Sequence, residues 1–244
     1  MFMNYDELWP NGPKLIQSED VFTLGTDAVM LSYFAGTPSA NKVCDLGTGS
    51  GIIALLLAWE NHRMQVDGIE IQPQAVELAR QNVELNALSN RINIIEGDIR
   101  MYRDMPGAGS YDLVVANPPY FAVNSGISVE NDSIAMARDE RTCTLKDVCA
   151  AAAHFTRWGG KFALVHRPER LAEVFTSLCS NGLEPKRMRF VQNKITSLPS
   201  LVLIESRRGG NPGLIIDEPL VLCDDNGERT YEVRRIYHRG KRHF

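Results

Sequence analysis

An α/β fold on a mostly parallel sheet is predicted by three features of this 244-residue chain. Short apolar, β-branched runs alternate with segments of helical periodicity, the first run leads straight into a glycine-rich turn, and the last quarter changes to strand–turn–strand. Residues 42–46 read as the first strand and 52–59 as the buried helix after its turn. Residues 65–70 form a second strand. The stretch 73–88 places Ala75, Val76, Leu78, Ala79, Val83 and Leu85 near helical spacing, with Pro73 suited to a first turn. Residues 92–95 and 111–116 give the third and fourth strands, 145–158 a helix ended by Gly159-Gly160, and 161–165 a fifth strand. A helix over 170–179 closes at Asn181-Gly182, and 188–192, 200–206 and 220–222 read as strands joined by turns such as Asp225-Asn226-Gly227. Ahead of the first strand, residues 28–34 are helical, with Thr26 or Asp27 expected as the cap.

Composition narrows the class further. With 44% hydrophobic and 23% charged residues, the chain suits one globular domain over 1–244, with a helical lead-in over 1–40 and a basic tail over 225–244. No apolar run approaches the roughly 20 residues of a membrane span. The first residues, Met1-Phe2-Met3-Asn4-Tyr5-Asp6-Glu7, lack a signal-peptide pattern, so the expected compartment is cytoplasmic, with no membrane partner. Cys44, Cys143, Cys149, Cys179 and Cys223 are scattered, which argues for reduced thiols and against a disulfide framework or metal site. Net charge is −4 but unevenly spread: from Leu183 onward 12 Lys/Arg face 8 Asp/Glu, and the end concentrates Arg234, Arg235, Arg239, Lys241 and Arg242 among Tyr237, His238 and Phe244. Such interleaving suits phosphate tracking and base stacking, and equally an ordinary solvated terminus.

Two constellations carry the chemistry. The turn Asp45-Leu46-Gly47-Thr48-Gly49-Ser50-Gly51 lets the backbone turn left-handed and approach a ligand closely. A dinucleotide fingerprint would want a third glycine where Ile52 stands; the spacing is nearer to a loop that cups the aminocarboxypropyl end of S-adenosylmethionine, with a simple tight turn as the alternative. Glu70 ends the second strand, where an acid can accept ribose hydroxyls, and Asp98 follows the third, where it can accept an adenine amine or simply cap a turn. Thr48, Ile71 and Ile99 complete the expected cofactor lining. After the fourth strand comes Asn117-Pro118-Pro119-Tyr120. Asparagine offers a carbonyl acceptor, the prolines stiffen a turn that frees a main-chain carbonyl, and tyrosine offers a stacking face: together, a clamp for a flat, amide-like NH₂. The polar, unpatterned residues 125–140 suggest a substrate-side lid.

At these residues the chain resembles the tRNA(Val) adenine-N6 methyltransferase family, within the class I S-adenosylmethionine-dependent amino-methyltransferases marked by Asn/Asp-Pro-Pro-Tyr/Phe. The resemblance rests on Leu24-Gly25-Thr26-Asp27-Ala28-Val29-Met30-Leu31, on residues 45–51, on Glu70, Gly97-Asp98 and Asn117 to Phe121, and on Ala137-Arg138-Asp139-Glu140. It implies a Rossmann-like three-layer sandwich with a mostly parallel seven-stranded sheet and an antiparallel last strand. It also implies that Asp45, Gly47, Gly49, Gly51, Glu70, Asp98 and Asn117 line the cofactor site, with Thr26 and Asp27 near its methionine end. Asn117 and Pro118 would hold the target amine and Tyr120, with Phe121, would stack on the base. The implied substrate is the adenine immediately 3′ of the anticodon in a tRNA anticodon loop, and Arg235, Arg239, Lys241 and Arg242 would meet its phosphates. Two rival enzymes use the same clamp: a release-factor glutamine N-methyltransferase, disfavoured by only 44 residues ahead of Asp45, and a ribosomal-RNA guanine-N2 enzyme. A non-catalytic cofactor- or RNA-binding scaffold is the third alternative.

Overall fold

The computed structural model describes residues 5–16, 25–36, 38–118 and 143–237. The expectations for Tyr120, Phe121, the 125–140 loop, Arg239, Lys241 and Arg242 lie outside the described residues.

A small antiparallel hairpin, β1 (Asp6–Glu7) and β2 (Lys14–Leu15), precedes helix α1 (Thr26–Ala35). Then β3 (Lys42–Leu46), α2 (Ile52–Glu60), β4 (Gln65–Glu70), α3 (Pro73–Leu85), β5 (Ile92–Glu96) and β6 (Tyr111–Ala116) follow as βα units. Helix α4 (Leu145–Phe155), β7 (Thr156–His166), α5 (Leu171–Ser180), β8 (Leu183–Gln192) and β9 (Pro199–Arg208) continue the chain. The short β10 (Ile215–Ile216), β11 (Leu220–Val221) and helix α6 (Tyr231–Tyr237) end it.

The seven longer strands run in the order β8-β9-β7-β6-β3-β4-β5, and β10 and β11 each add to the outer side of β8. β3 pairs in parallel with both β4 and β6, so strand order reverses there, where open α/β sheets bind ligands. Only β9, among these seven, runs antiparallel to its neighbours β7 and β8. Side chains alternate between faces. Leu113 and Val115 pack with α1, α2 and α3, whereas Val114 and Ala116 pack with α4 and α5, which gives three layers.

Four boundaries differ from expectation. Helix α4 stops at Phe155, because the Thr156 hydroxyl donates to Ala152 O (2.6 Å) and the chain turns into β7 five residues early. There Asp112 alone stands opposite the whole of 157–160, since Tyr111 pairs with Thr156 and Leu113 with Lys161, a wide bulge eased by Gly159 at φ 73°. Helix α3 ends at Leu85, with Ala87 left-handed (φ 54°). Strand β8 begins at Leu183 and absorbs Pro185 at a register shift, the place where a sheet tolerates proline. Finally, neither Thr26 nor Asp27 caps α1. Gly25 occupies the cap and Asp27 lies in the first turn, where its Oδ1 accepts from Ala28 N (2.9 Å).

Candidate active site

Register brings the expected residues to one edge. Leu46 is level with Ile69 of β4 and Ala116 of β6, and Glu70 is level with Glu96 of β5. The glycine turn, Glu70, Asp98 and Asn117 therefore all leave the sheet at its carboxyl edge, with Gly47 and Asn117 roughly one strand spacing, about 5 Å, apart. On the alternation of β6, Asn117 falls on the side of Leu113 and Val115, the side covered by α1, whose first turn holds Thr26 and Asp27.

The turn is held from both ends. Gly47 N and Thr48 N both donate to Ile69 O (2.9 and 3.0 Å), the Thr48 hydroxyl donates to Asp45 Oδ2 (2.6 Å), and Gly49 N donates to Glu70 Oε2 (2.9 Å). Gly47 and Gly49 are left-handed (φ 69° and 56°), and a Cβ on either would meet no atom within 4 Å. The turn thus presents bare backbone to an open space. Gly51, by contrast, faces α3, and a Cβ there would come 3.3 Å from Ala79 Cβ.

Asp45, at the start of the turn, is fully buried, and its Oδ1 has no partner within hydrogen-bond distance. Burial pushes its carboxyl up to about 7; the Thr48 hydroxyl and the Ala54 amide in the first turn of α2 oppose the rise, and the nearby Glu70 charge adds to it. Glu70 is also buried, but its oxygens already serve the backbone. Oε1 accepts from Ile71 N and Gln72 N (2.9 Å each) at the entrance to α3, while Oε2 accepts from Gly49 N. Three of about four acceptor sites on a carboxylate are therefore used, leaving room for one ribose hydroxyl rather than a pair. Asp98 makes a turn cap, its Oδ1 accepting from Arg100 N (2.9 Å), and the Arg100 guanidinium holds the carboxyl below its usual range. Ile71 is 45% exposed and Ile99 half-buried, each beside its acid.

Asn117 is half-buried and Pro118 buried. Next to β6, β7 ends in His166, two residues past Leu164, the partner of Ala116. Its Nδ1 accepts from Arg167 N (2.8 Å), which leaves the ring proton on Nε2, and burial, reinforced by the Arg170 charge, lowers its pKa to about 4. This neutral imidazole went unassigned in the sequence because a histidine ending an apolar strand carries no local signature. Arg235 is exposed on α6 with its guanidinium 5.9 Å from the Tyr231 ring, while Val233 and Ile236 of the same helix are buried. The tail is therefore a docked amphipathic helix as far as Tyr237.

A family model, the methyltransferase small domain, matches residues 16–175. The tRNA1(Val) (adenine(37)-N6)-methyltransferase of Porphyromonas gingivalis is 34% identical over 190 residues, 75% of this chain and 74% of that protein. The chain belongs to the tRNA1(Val) (adenine(37)-N6)-methyltransferase family. Members from Aeromonas salmonicida (36% over 189 residues; 77% and 78% covered) and Tolumonas auensis (30% over 217 residues; 88% of each) agree. Among solved structures, a predicted O-methyltransferase from Agrobacterium tumefaciens superposes with a TM-score of 0.72 at 19% identity, covering 87% of this chain and 95% of that one. TYW2 of P. horikoshii in complex with MeSAdo reaches 0.57 at 17% identity, covering 83% and 70%. Both place this family member on the class I methyltransferase fold. Among the described residues no group of three or more His, Cys, Asp or Glu is arranged to hold a metal ion, and no helix is long and apolar enough to cross a membrane.

Proposed function

We propose that this enzyme methylates N6 of the adenine immediately 3′ of the anticodon in a valine tRNA, with S-adenosylmethionine as methyl donor. The reading is carried by one observation: the register that sets Asn117-Pro118 beside the glycine turn on a single sheet edge, in a chain of this family. The open space over Gly47 and Gly49 fits a ligand whose end lies against bare backbone, and the amino-acid end of S-adenosylmethionine is such a group. Gly47 and Gly49 would bring bare backbone against that end, Glu70 would accept a ribose hydroxyl, and Ile71 and Ile99 would flank the adenine. S-adenosylmethionine, when bound, supplies an electrophilic methyl carbon.

The chain's own residues do the rest. The Asn117 side-chain carbonyl and the Pro118 main-chain carbonyl accept the two amine protons of the target, which turns the nitrogen lone pair toward the methyl group and away from the ring. Tyr120, with Phe121, stacks on the base. No strong general base is required: the nitrogen becomes acidic as it takes the methyl group, so its proton can pass to water during or after transfer, while positioning and electrostatics supply most of the rate. The base must leave its stack, which costs least in a single-stranded loop and so favours an anticodon loop. Arg235, Arg239, Lys241 and Arg242 neutralise phosphates along the bound strand, and the compartment is the cytoplasm, where tRNA is matured and used.

The deciding assay incubates the protein with S-adenosylmethionine and a valine tRNA transcript, then digests the product to nucleosides. N6-methyladenosine, lost when the adenine 3′ of the anticodon is replaced, is the expected outcome. Label in methylglutamine of a release-factor peptide, or in N2-methylguanosine of ribosomal RNA, would replace this reading with one of its rivals.

A further inference from the structure

Helix α3 carries one buried asparagine, Asn82, and ends at a second, half-buried one, the C-cap Asn86. Each grips one residue of β2 and its extension as a peptide would. Asn86 Oδ1 accepts from Lys14 N (2.8 Å) and its Nδ2 donates to Lys14 O (2.7 Å); Asn82 Oδ1 accepts from Ile16 N (2.7 Å) and its Nδ2 donates to Ile16 O (3.3 Å). The fit is geometric: four residues of helix rise about 6.0 Å and two residues of strand about 6.6 Å, so an i,i+4 pair matches an i,i+2 pair. Asn82 does one thing more. Its Nδ2 also donates to Ser50 O (3.0 Å), inside the glycine turn, one helical turn from where Ala79 meets Gly51. Asn82 is wholly buried, on a face otherwise formed by Ala75, Val76, Leu78, Ala79 and Val83.

We infer that Asn82 is a positioning residue for the cofactor turn, coupling the docked N-terminal strand to the backbone that receives the methyl donor. A structural amide would need only the strand; the third bond, to the carbonyl between Gly49 and Gly51, fixes the orientation of peptides that must present themselves to a ligand. Because both bodies hang on one amide, ordering either favours the other, and the coupling is reciprocal. The inference rests on the cofactor assigned above.

The test uses the full chain and S-adenosylhomocysteine as probe, with affinity read by calorimetry and turn mobility by hydrogen exchange at residues 47–51. Asn82→Asp keeps the acceptor for Ile16 N and loses both donated bonds. Asn86→Ala loosens the strand and releases the Asn82 main-chain carbonyl that Asn86 Nδ2 also holds (2.7 Å), but removes no bond to the turn. We expect Asn82→Asp to weaken the probe about tenfold and speed exchange in the turn, consistent with loss of a buried hydrogen bond, while Asn86→Ala changes affinity less than about threefold. Asn82→Ala is the companion variant and should match Asn82→Asp; circular dichroism and melting identify any variant that is merely unfolded, and Asn82→Gln then replaces it. Wild-type affinity and exchange in the folded Asn82 variants overturn the inference, as does an equal affinity loss in Asn86→Ala with no faster exchange in the turn, which would trace the effect to general loosening and not to the bond between Asn82 and Ser50. A wild-type protein that fails to bind the probe at all overturns the cofactor assignment instead.

Discussion

Asp45 and Asp112 belong to adjacent strands of one sheet, the first buried toward the carboxyl edge and the second at the amino edge, and their carboxyls are shifted in opposite directions. Asp112 is partly buried, which alone would raise it. The amides of Lys42 and Asn41 and the Arg157 guanidinium (2.7 Å) outweigh that and hold it below the usual carboxylate range. Asp45 has the Thr48 hydroxyl but no cation, and burial lifts it to about 7. The amino edge spends its polar atoms on one another: Lys161 pairs with Glu205 (3.1 Å) and Arg207 donates to Gly159 O (3.0 Å). Left-handed glycine and an unpartnered buried atom occur here too, at Gly182 and His154 Nε2, so what sets the carboxyl edge apart is the raised acid Asp45 beneath two successive left-handed glycines, Gly47 and Gly49, that face open space. A buried acid kept at a cost beside bare, open backbone is the combination that marks a functional site.

The largest test of that contrast is Asn117→Ala. If the clamp holds only the reacting amine, kcat falls by at least about 10³ while cofactor affinity stays within about threefold, as for removal of a single transition-state hydrogen-bonding group. A parallel fall in affinity would move Asn117 into the cofactor's own contacts.

Asp45→Asn probes the acid itself. A carboxyl raised from 3.8 to about 7 binds its proton more tightly in the native state than in the unfolded chain. Its contribution is therefore fully present below about pH 4 and is lost as pH rises toward 7, on the order of 4 kcal/mol in all. His166, lowered to about 4, acts with the opposite sign, its contribution being lost as pH falls from about 6.5 to 4, but it is common to both proteins and cancels in the comparison. Melting without ligand should show the Asn variant gaining on the wild type between pH 4.5 and 7.5; parallel curves would mean that Asp45 is not charged at a cost.

Gly49→Val should come next. A Cβ at this position meets no atom within 4 Å, so the branch projects into the space the ligand would use, and the left-handed φ of 56° adds strain. About 100-fold weaker cofactor binding is expected, roughly 2.7 kcal/mol, with the fold retained by circular dichroism. Unchanged affinity would place the ligand elsewhere on the edge.

Much of this contrast was legible in the residue order. The strands over 42–46 and 111–116 are short, largely apolar runs ended by Gly47 and by Asn117-Pro118, so local pattern sets their limits. The turn and Asn117 announce themselves because glycine spacing and Asn-Pro-Pro are local. What stayed hidden depends on distant partners. Trp158-Gly159-Gly160 looks like a helix end but is a bulge shaped by Asp112 of β6. Pro185 hides the start of β8 until β9 is beside it. Asn82 reads as a misplaced polar residue until Ile16 and Ser50 arrive. Glu70 was assigned to a ligand and is largely occupied by three backbone amides, two of which belong to the entrance of a helix.

The smallest expected effect belongs to the amino edge. Arg157→Ala removes the guanidinium 2.7 Å from Asp112, but that side chain is 53% exposed and well screened, and Asp112 keeps both backbone amides of Asn41 and Lys42. Exposed pairs of this kind contribute less than about 1 kcal/mol. Melting should fall slightly, with kcat and cofactor affinity unchanged, because the pair lies a full strand length from Asn117. The Asp112 carboxyl should rise modestly toward its ordinary range while the amides still hold it low, so carboxyl titration by NMR would register the substitution where activity does not. A large loss of methyl transfer in this variant would break the division between the two edges, since it would show that an ion pair at the amino edge takes part in binding the RNA.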